Sequence, residues 1–236
     1  MIDQLVVSGC SFTQGSSGET WAKHLNIPSV TNLANNGAGN NYICRRTLNY
    51  LESHRHDPKK TLVIVMWSGT SRIDMSVSTE WYQHIRTTFH SGYSDNINNW
   101  IHTGSSGNVP VLESLCKTND NQSLCVDSLQ NFILLENYLQ AQGYPYLFTS
   151  YANYWHEEQE YCTTTEVDPN IGYYCKNISL YKNFDFSNWV FVNKQRDCFG
   201  EFALDDIRNR NDAHPSPDSH RRFATEILLP IVEKFV

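Results

Sequence analysis

Short apolar runs separated by longer stretches of mixed polarity set the rhythm of this 236-residue chain. Leu5–Val7, Ser29–Leu33, Thr61–Trp67 and Pro145–Tyr151 have the length of strands and are mostly apolar, and the last two are rich in β-branched or aromatic residues. Helical spacing fills the intervals, at about Trp21–Leu25, Asn40–Ser53 and Asp127–Gln142, and again from about Arg221 to Phe235. In the third of these, Leu129, Phe132, Ile133, Leu135, Tyr138 and Leu139 form an apolar stripe, and Gly143 supplies the stop. Strands alternating with helices predict a three-layer α/β/α sandwich around a mainly parallel sheet, with functional loops at its C-terminal edge. The chain reads as one domain, 1–236, with insertions at about 75–124 and 154–204.

Composition narrows the class. With 40% hydrophobic and 13% aromatic residues, the chain can bury a substantial core. A net charge of −7 argues against a general nucleic-acid binder, because phosphate contacts need a basic surface. No run reaches the roughly 18 apolar residues of a membrane helix, and Met1-Ile2-Asp3-Gln4 lacks the basic start of a signal peptide. A cytoplasmic protein is therefore expected, in a host cytoplasm or a virion if the source is a phage. Seven cysteines cannot all pair within one chain. Reduced thiols are the default there, although Cys116 with Cys125 or Cys162 with Cys175 could close loops under oxidising conditions. Neither a C-x-x-C pair nor a Walker loop occurs, and Gly37-Ala38-Gly39 lacks the third glycine of a dinucleotide fingerprint. No cofactor and no metal are expected. His54-Arg55-His56-Asp57 reads as a solvated helix end.

Candidate chemistry lies at the two ends. Val6-Val7-Ser8-Gly9-Cys10-Ser11 ends an apolar run in a tight turn, and a serine there projects its hydroxyl at the C-terminal edge of the sheet. The amides and helix N-terminus that follow can stabilise a nearby anion. A plain turn is the alternative. Near the other end, Asn211-Asp212-Ala213-His214-Pro215 offers a histidine with a carboxylate close by, the general base that a serine hydroxyl needs. Here the alternative is a loop histidine, with Asp218 or Ser219 capping the terminal helix. Both insertions carry aromatics, among them Trp81, Tyr93, Trp100, Trp155, Tyr181 and Trp189. Such side chains either stack on sugar faces or pack the insertions onto the core.

Taken together, the two ends resemble the SGNH/GDSL hydrolase superfamily. Gly9-Cys10-Ser11 matches its first motif, with Cys10 in place of Asp, and Asp212 to His214 matches the last. Asn32-Leu33-Ala34-Asn35-Asn36-Gly37-Ala38-Gly39-Asn40 resembles the second, and Val63 to Arg72 occupies the place of the third. The third is closest in style to phage and environmental members. The resemblance implies a flavodoxin-like sandwich and a serine esterase with Ser11 as nucleophile, His214 as base and Asp212 as its acid. It further implies an oxyanion hole of Ser11, Gly37 and Ser71, and substrate contacts from Asn40, Trp67 and Thr70. A short acyl group such as O-acetyl on a carbohydrate is the expected substrate, small molecule or glycan. Acyl transfer by the same residues and a non-catalytic glycan- or protein-binding module are the alternatives. Neither nucleic-acid nor membrane partners are expected, and the sequence leaves the oligomeric state open.

Two departures from the family pattern stand out. The third motif normally contributes an asparagine oxyanion donor, where this chain has Thr70 and Ser71. The acid normally precedes the histidine by three residues, where this chain has Asn211; Asp212 stands two before it. Residues two apart on an extended segment share a side, which favours Asp212 over the rival carboxylates Asp205, Asp206 and Asp218.

Overall fold

The computed structural model describes residues 1–15, 19–89, 94–95, 100–102, 119–157, 169–210 and 214–235. Its centre is a four-stranded sheet of β1 (Gln4–Ser8), β2 (Ser29–Asn32), β3 (Thr61–Trp67) and β7 (Tyr146–Ser150), in the order β2-β1-β3-β7. All three pairings are parallel, with Leu5 opposite Val30 and Leu62, and Val65 opposite Phe148. Every residue of β3 and β7 is buried. Successive side chains of a strand point to opposite faces, so both faces of the sheet are covered, which explains the unbroken apolar runs. The fold is the α/β architecture that the alternation predicts.

The main helices follow their sequence signals, with shifted ends. Helix α2 (Asn40–His54) starts at Gly39 and ends where Arg55 turns left-handed at φ 45°. The exposed His54, Arg55 and Asp57 make this the solvated helix end expected. Helix α4 runs Asn121–Gln142, six residues longer than the pattern predicts, because the Asp120 side chain accepts the Ser123 N–H and so caps an earlier turn. Gly143 stops it at φ 74°. The terminal helix begins at Pro217 rather than Arg221, capped by the Ser216 side chain, which accepts the Ser219 N–H. It runs as α9 (Pro217–Arg222), a π-helical stretch (Phe223–Leu228) and α10 (Leu229–Val232).

The first insertion adds β4 (Asp74–Ser76), β5 (Ser94–Asp95) and β6 (Trp100–His102), a small antiparallel sheet, with helix α3 (Thr79–Phe89) between β4 and β5. The second contributes the short helices α5 (Ile171–Cys175), α6 (Ser179–Lys182) and α7 (Phe199–Phe202), and α8 (Leu204–Arg208) follows it. Most of its aromatics turn inward. Trp155 and Trp189 are buried 4.8 Å apart, and both pack around Phe132 of α4, with Tyr181 stacked on Trp155. In that insertion the packing alternative prevails over sugar stacking. Trp81 remains exposed; Tyr93 and Tyr161 lie outside the described residues. Cys10, Cys44, Cys125, Cys175 and Cys198 are buried, while Cys116 and Cys162 lie outside the described residues. Among the described residues, no helix is long and apolar enough to cross a membrane.

Candidate active site

Ser11 opens a single helical turn, α1 (Ser11–Gln14), three residues past the end of β1. Cys10 is the extended residue before it, and its carbonyl accepts the N–H groups of Thr13 and Gln14 at 3.0 Å each. Gly9 is required by crowding: a Cβ there would stand 2.3 Å from Thr13 Oγ1 and 2.8 Å from the Met66 carbonyl oxygen. The turn ends at Gly15 with φ 77°. One turn is too short to carry the helix-dipole contribution that the sequence suggested. Any anion stabilisation at Ser11 therefore comes from individual amides.

The second motif is sewn to the first. The Leu33 N–H donates to the Val7 carbonyl at 2.8 Å, the Asn35 N–H donates to the Gly9 carbonyl at 3.1 Å, and Asn32 Nδ2 donates to the Thr13 carbonyl at 3.0 Å. Buried Gly37 takes φ 74°, a conformation that glycine adopts without strain. Just beyond, the carboxylate of Asp74 accepts the N–H groups of Gly39 and Tyr42 at 2.8 Å each, capping α2 from another element. A side chain at position 39 would collide with the Arg72 carbonyl oxygen and with Asp74. These contacts fix the Gly37 loop beside Ser11.

The residues expected to touch substrate all make structural contacts, although Asn40 and Thr70 also line the groove between α2 and α4. Trp67 is fully buried, 4.4 Å from Phe132 and 5.4 Å from Phe148 between ring centroids; it belongs to the core. Asn40 is buried and clamps the end of β3: its Nδ2 donates to the Ser68 carbonyl and to Ser128 Oγ, and its Oδ1 accepts the Ser68 N–H. The Thr70 hydroxyl donates to the Pro169 carbonyl at 2.6 Å. Ser71 sits in the turn after β3 and is half-buried. A chain that reads Trp-Ser-Gly-Thr-Ser gives no local sign that two of these side chains are structural. Their partners, Phe132 and Pro169, are far away in sequence.

His214 reaches Ser11's neighbourhood from the far end of the chain. Its ring centroid is 5.5 Å from that of Phe12, which also packs 4.8 Å from Tyr151 and 6.1 Å from Phe199. The segment behind His214 is anchored by Asp206, whose Oδ2 accepts the Ser216 N–H at 2.6 Å and the Ser219 hydroxyl at 2.7 Å. Burial pushes the Asp206 carboxyl up, but these donors, the Ser216 hydroxyl and the charge of Arg210 outweigh it and hold it below its ordinary value. Asp206 thus serves as an anchor of the loop. Asp218 lies at the start of α9 and pairs with Arg221. Asn211 and Asp212 fall outside the described residues.

A second histidine of this region, His220, lies on α9. It is 3% exposed, stacked edge-on against Phe199 at 4.9 Å, and its Nδ1 has no hydrogen-bond partner among the described residues. Burial, and then the neighbouring His24 and His214, push its pKa down to about 4, against a smaller opposing pull from Asp206. Among the described residues, no cluster of His, Cys, Asp and Glu suited to a metal ion occurs.

Between α2, α4 and the loop after β3 lies an open groove of about 370 Å³. Asn41, Arg45, Arg72, Asp127, Gln130 and Asn131 are among its lining residues, and amides outnumber apolar side chains on its walls. It continues along α2 toward Asn49 and Trp100. The groove is a place where a polar ligand could lie next to the third-motif loop.

The α/β fold is shared with solved structures. The chain aligns with TesA at a TM-score of 0.51 and 13% identity, covering 99% of each chain. A candidate acylhydrolase from Bacteroides fragilis aligns at a TM-score of 0.49 and 8% identity, covering 98% of this chain and 87% of that one. The likeness to TesA shows the fold. Residues 14–232 match the model of a family of unknown function, DUF6071, and the chain belongs to that family. No curated protein matches it.

Proposed function

We propose that this protein is a serine esterase acting on short acyl esters, an O-acetyl group carried by a carbohydrate being the substrate. The observation that carries the reading is the convergence of the chain's two ends: Ser11 opens α1 beyond β1, and the His214 ring lies against Phe12, the residue after Ser11. In this reading His214 takes the Ser11 proton as Oγ attacks the ester carbonyl, and Asp212 orients the imidazole and stabilises its charged form. The carbonyl oxygen becomes an oxyanion that accepts hydrogen bonds from the amides of Ser11 and Gly37, with Ser71 nearby. The leaving alcohol takes the proton from His214, and water activated by the same histidine then hydrolyses the acyl-enzyme. The hydrogen bonds joining the Gly37 loop to Val7 and Gly9 support this arrangement. The amide-lined groove supports a polyhydroxylated carrier of the acyl group. Transfer to another hydroxyl would use the same residues, with the acceptor in place of water.

The test combines labelling with turnover. A serine-directed phosphonate should label the protein at Ser11, and p-nitrophenyl acetate and acetylated glycans should be hydrolysed with or without chelator. Ser11→Ala should abolish hydrolysis and labelling while its circular dichroism and melting remain those of the wild type. A folded Ser11→Ala protein that keeps most of its activity would overturn the mechanism.

A further inference from the structure

The third motif lacks its asparagine, and Thr70 has given its hydroxyl to Pro169. Two residues further on, Arg72 is placed differently. Its Nη1 lies 3.5 Å from the carbonyl oxygen of Ala38, the residue after Gly37. Its guanidinium carbon stands 5.2 Å from the centre of the Tyr151 ring. Tyr151 packs on Phe12, which in turn touches the His214 ring. The guanidinium therefore touches both the loop bearing Gly37 and the aromatic chain of Tyr151, Phe12 and His214. Tyr151 is itself held in place: its N–H donates to the Trp67 carbonyl at 3.1 Å, and its carbonyl accepts the Gly200 N–H at 2.6 Å.

We propose that Arg72 is the side-chain oxyanion donor of this site, filling the role that an asparagine holds in the resembling superfamily. The proposal rests on Ser11 being the nucleophile. As Ser11 Oγ bonds to the carbonyl carbon and His214 takes its proton, the π electron pair of the C=O bond moves onto oxygen. Arg72 donates N–H to that oxygen; when the carbonyl re-forms, the pair returns and the alcohol departs with the proton held by His214. A guanidinium carries five donors in a rigid plane and is always charged. It can hold the Ala38 carbonyl with one N–H while another meets the oxyanion, and the Tyr151 ring 5.2 Å away favours the cation at this place. A charged donor also favours the oxyanion more than a neutral amide does, since charge-assisted hydrogen bonds are about twice as strong.

The experiment measures hydrolysis of p-nitrophenyl acetate by wild type, Arg72→Ala, Arg72→Lys and Arg72→Gln, with melting temperatures recorded for each. Arg72→Ala should lower kcat by about 10²–10³-fold, the usual effect of losing one oxyanion donor, with KM nearly unchanged. Sub-denaturing guanidinium chloride should restore part of that kcat, and sodium chloride at equal ionic strength should not. Arg72→Lys should fall between wild type and Arg72→Ala. The assignment fails if folded Arg72→Ala keeps its kcat, or if its lost kcat is not raised by guanidinium. Should Arg72→Ala not fold, Arg72→Gln and Arg72→Lys decide: equal kcat in these two and the wild type sinks the proposal, and a graded loss sustains it. Wild type that neither hydrolyses esters nor takes a phosphonate at Ser11 removes the esterase reading itself; an active wild type with an unimpaired Arg72→Ala removes Arg72 alone.

Discussion

Asp206 accepts the backbone N–H of Ser216 at 2.6 Å, and through this contact helix α8 holds the segment that carries His214. The same oxygen takes the Ser219 hydroxyl, so one carboxylate secures both the loop and the first turn of α9. A carboxylate accepting from an N–H and a hydroxyl is a stronger anchor than an amide would be.

Asp206→Asn should therefore destabilise the protein by about 1.5–3 kcal/mol at neutral pH, the range for hydrogen bonds to charged groups, and lower kcat by loosening His214. The Asp206 carboxyl is held below its ordinary value in the folded state. Its stabilisation is thus complete above the unfolded pKa of about 3.9 and is lost as pH falls through the lower folded pKa. Melting curves of wild type and variant, measured from pH 7 downward, should converge at acid pH. A gap that stays constant would show that the charge contributes nothing.

Thr70→Val should separate structure from chemistry. The hydroxyl donates to the Pro169 carbonyl within a buried setting, so its loss leaves an acceptor unpaired at about 1–3 kcal/mol. We expect a lower melting temperature and an unchanged kcat in the folded variant. Ser71→Ala, on the same loop, should alter kcat more than stability. A large kcat loss in Thr70→Val at full stability would give Thr70 a part in the chemistry.

For the acid of the triad, Asp212→Asn should lose far more kcat than Asn211→Ala or Asp218→Asn at matched stability. Asp218 pairs with Arg221 on the surface of α9, an exposed contact of little energetic weight. An uncharged Asn211 can orient an imidazole but stabilises its charged form poorly. If Asp218→Asn proves the most damaging, Asp212 leaves the mechanism.

His220 predicts an acid-sensitive core. Its pKa is depressed to about 4 because burial disfavours the cation, with His24 and His214 adding to the effect. Between about pH 4 and the unfolded value near 6.5, the unfolded chain binds the extra proton, so stability falls as the pH drops through this window. His220→Phe keeps a ring against Phe199 and removes the proton site. The wild-type melting temperature should decline between pH 6.5 and 4 more steeply than that of His220→Phe. Parallel curves would refute the burial argument.

The strands, their parallel order and the main helices were legible because burial leaves a periodic trace within a few residues. β3 reads as a strand wherever it sits, since all seven positions must be apolar or small. Gly9 and Gly37 left a related trace: tight turns beside a sheet edge restrict which residues fit. The helix ends were less so, because a cap such as Asp120 or Ser216 competes with other polar residues close by.

What the sequence determined alone was the α/β class; Ser11, His214 and Asp212 stand as its candidates for the proposed serine mechanism. Tertiary structure decided which polar side chains near them are already spent. Asn40 on Ser68 and Ser128, Thr70 on Pro169, and Asp206 on Ser216 and Ser219 all read locally as available groups. It also decided that Arg72 meets both Ala38 and Tyr151. Hydrophobic pattern is a property of neighbours along the chain, whereas the fate of a donor or acceptor depends on a partner that only folding brings within 3 Å or so.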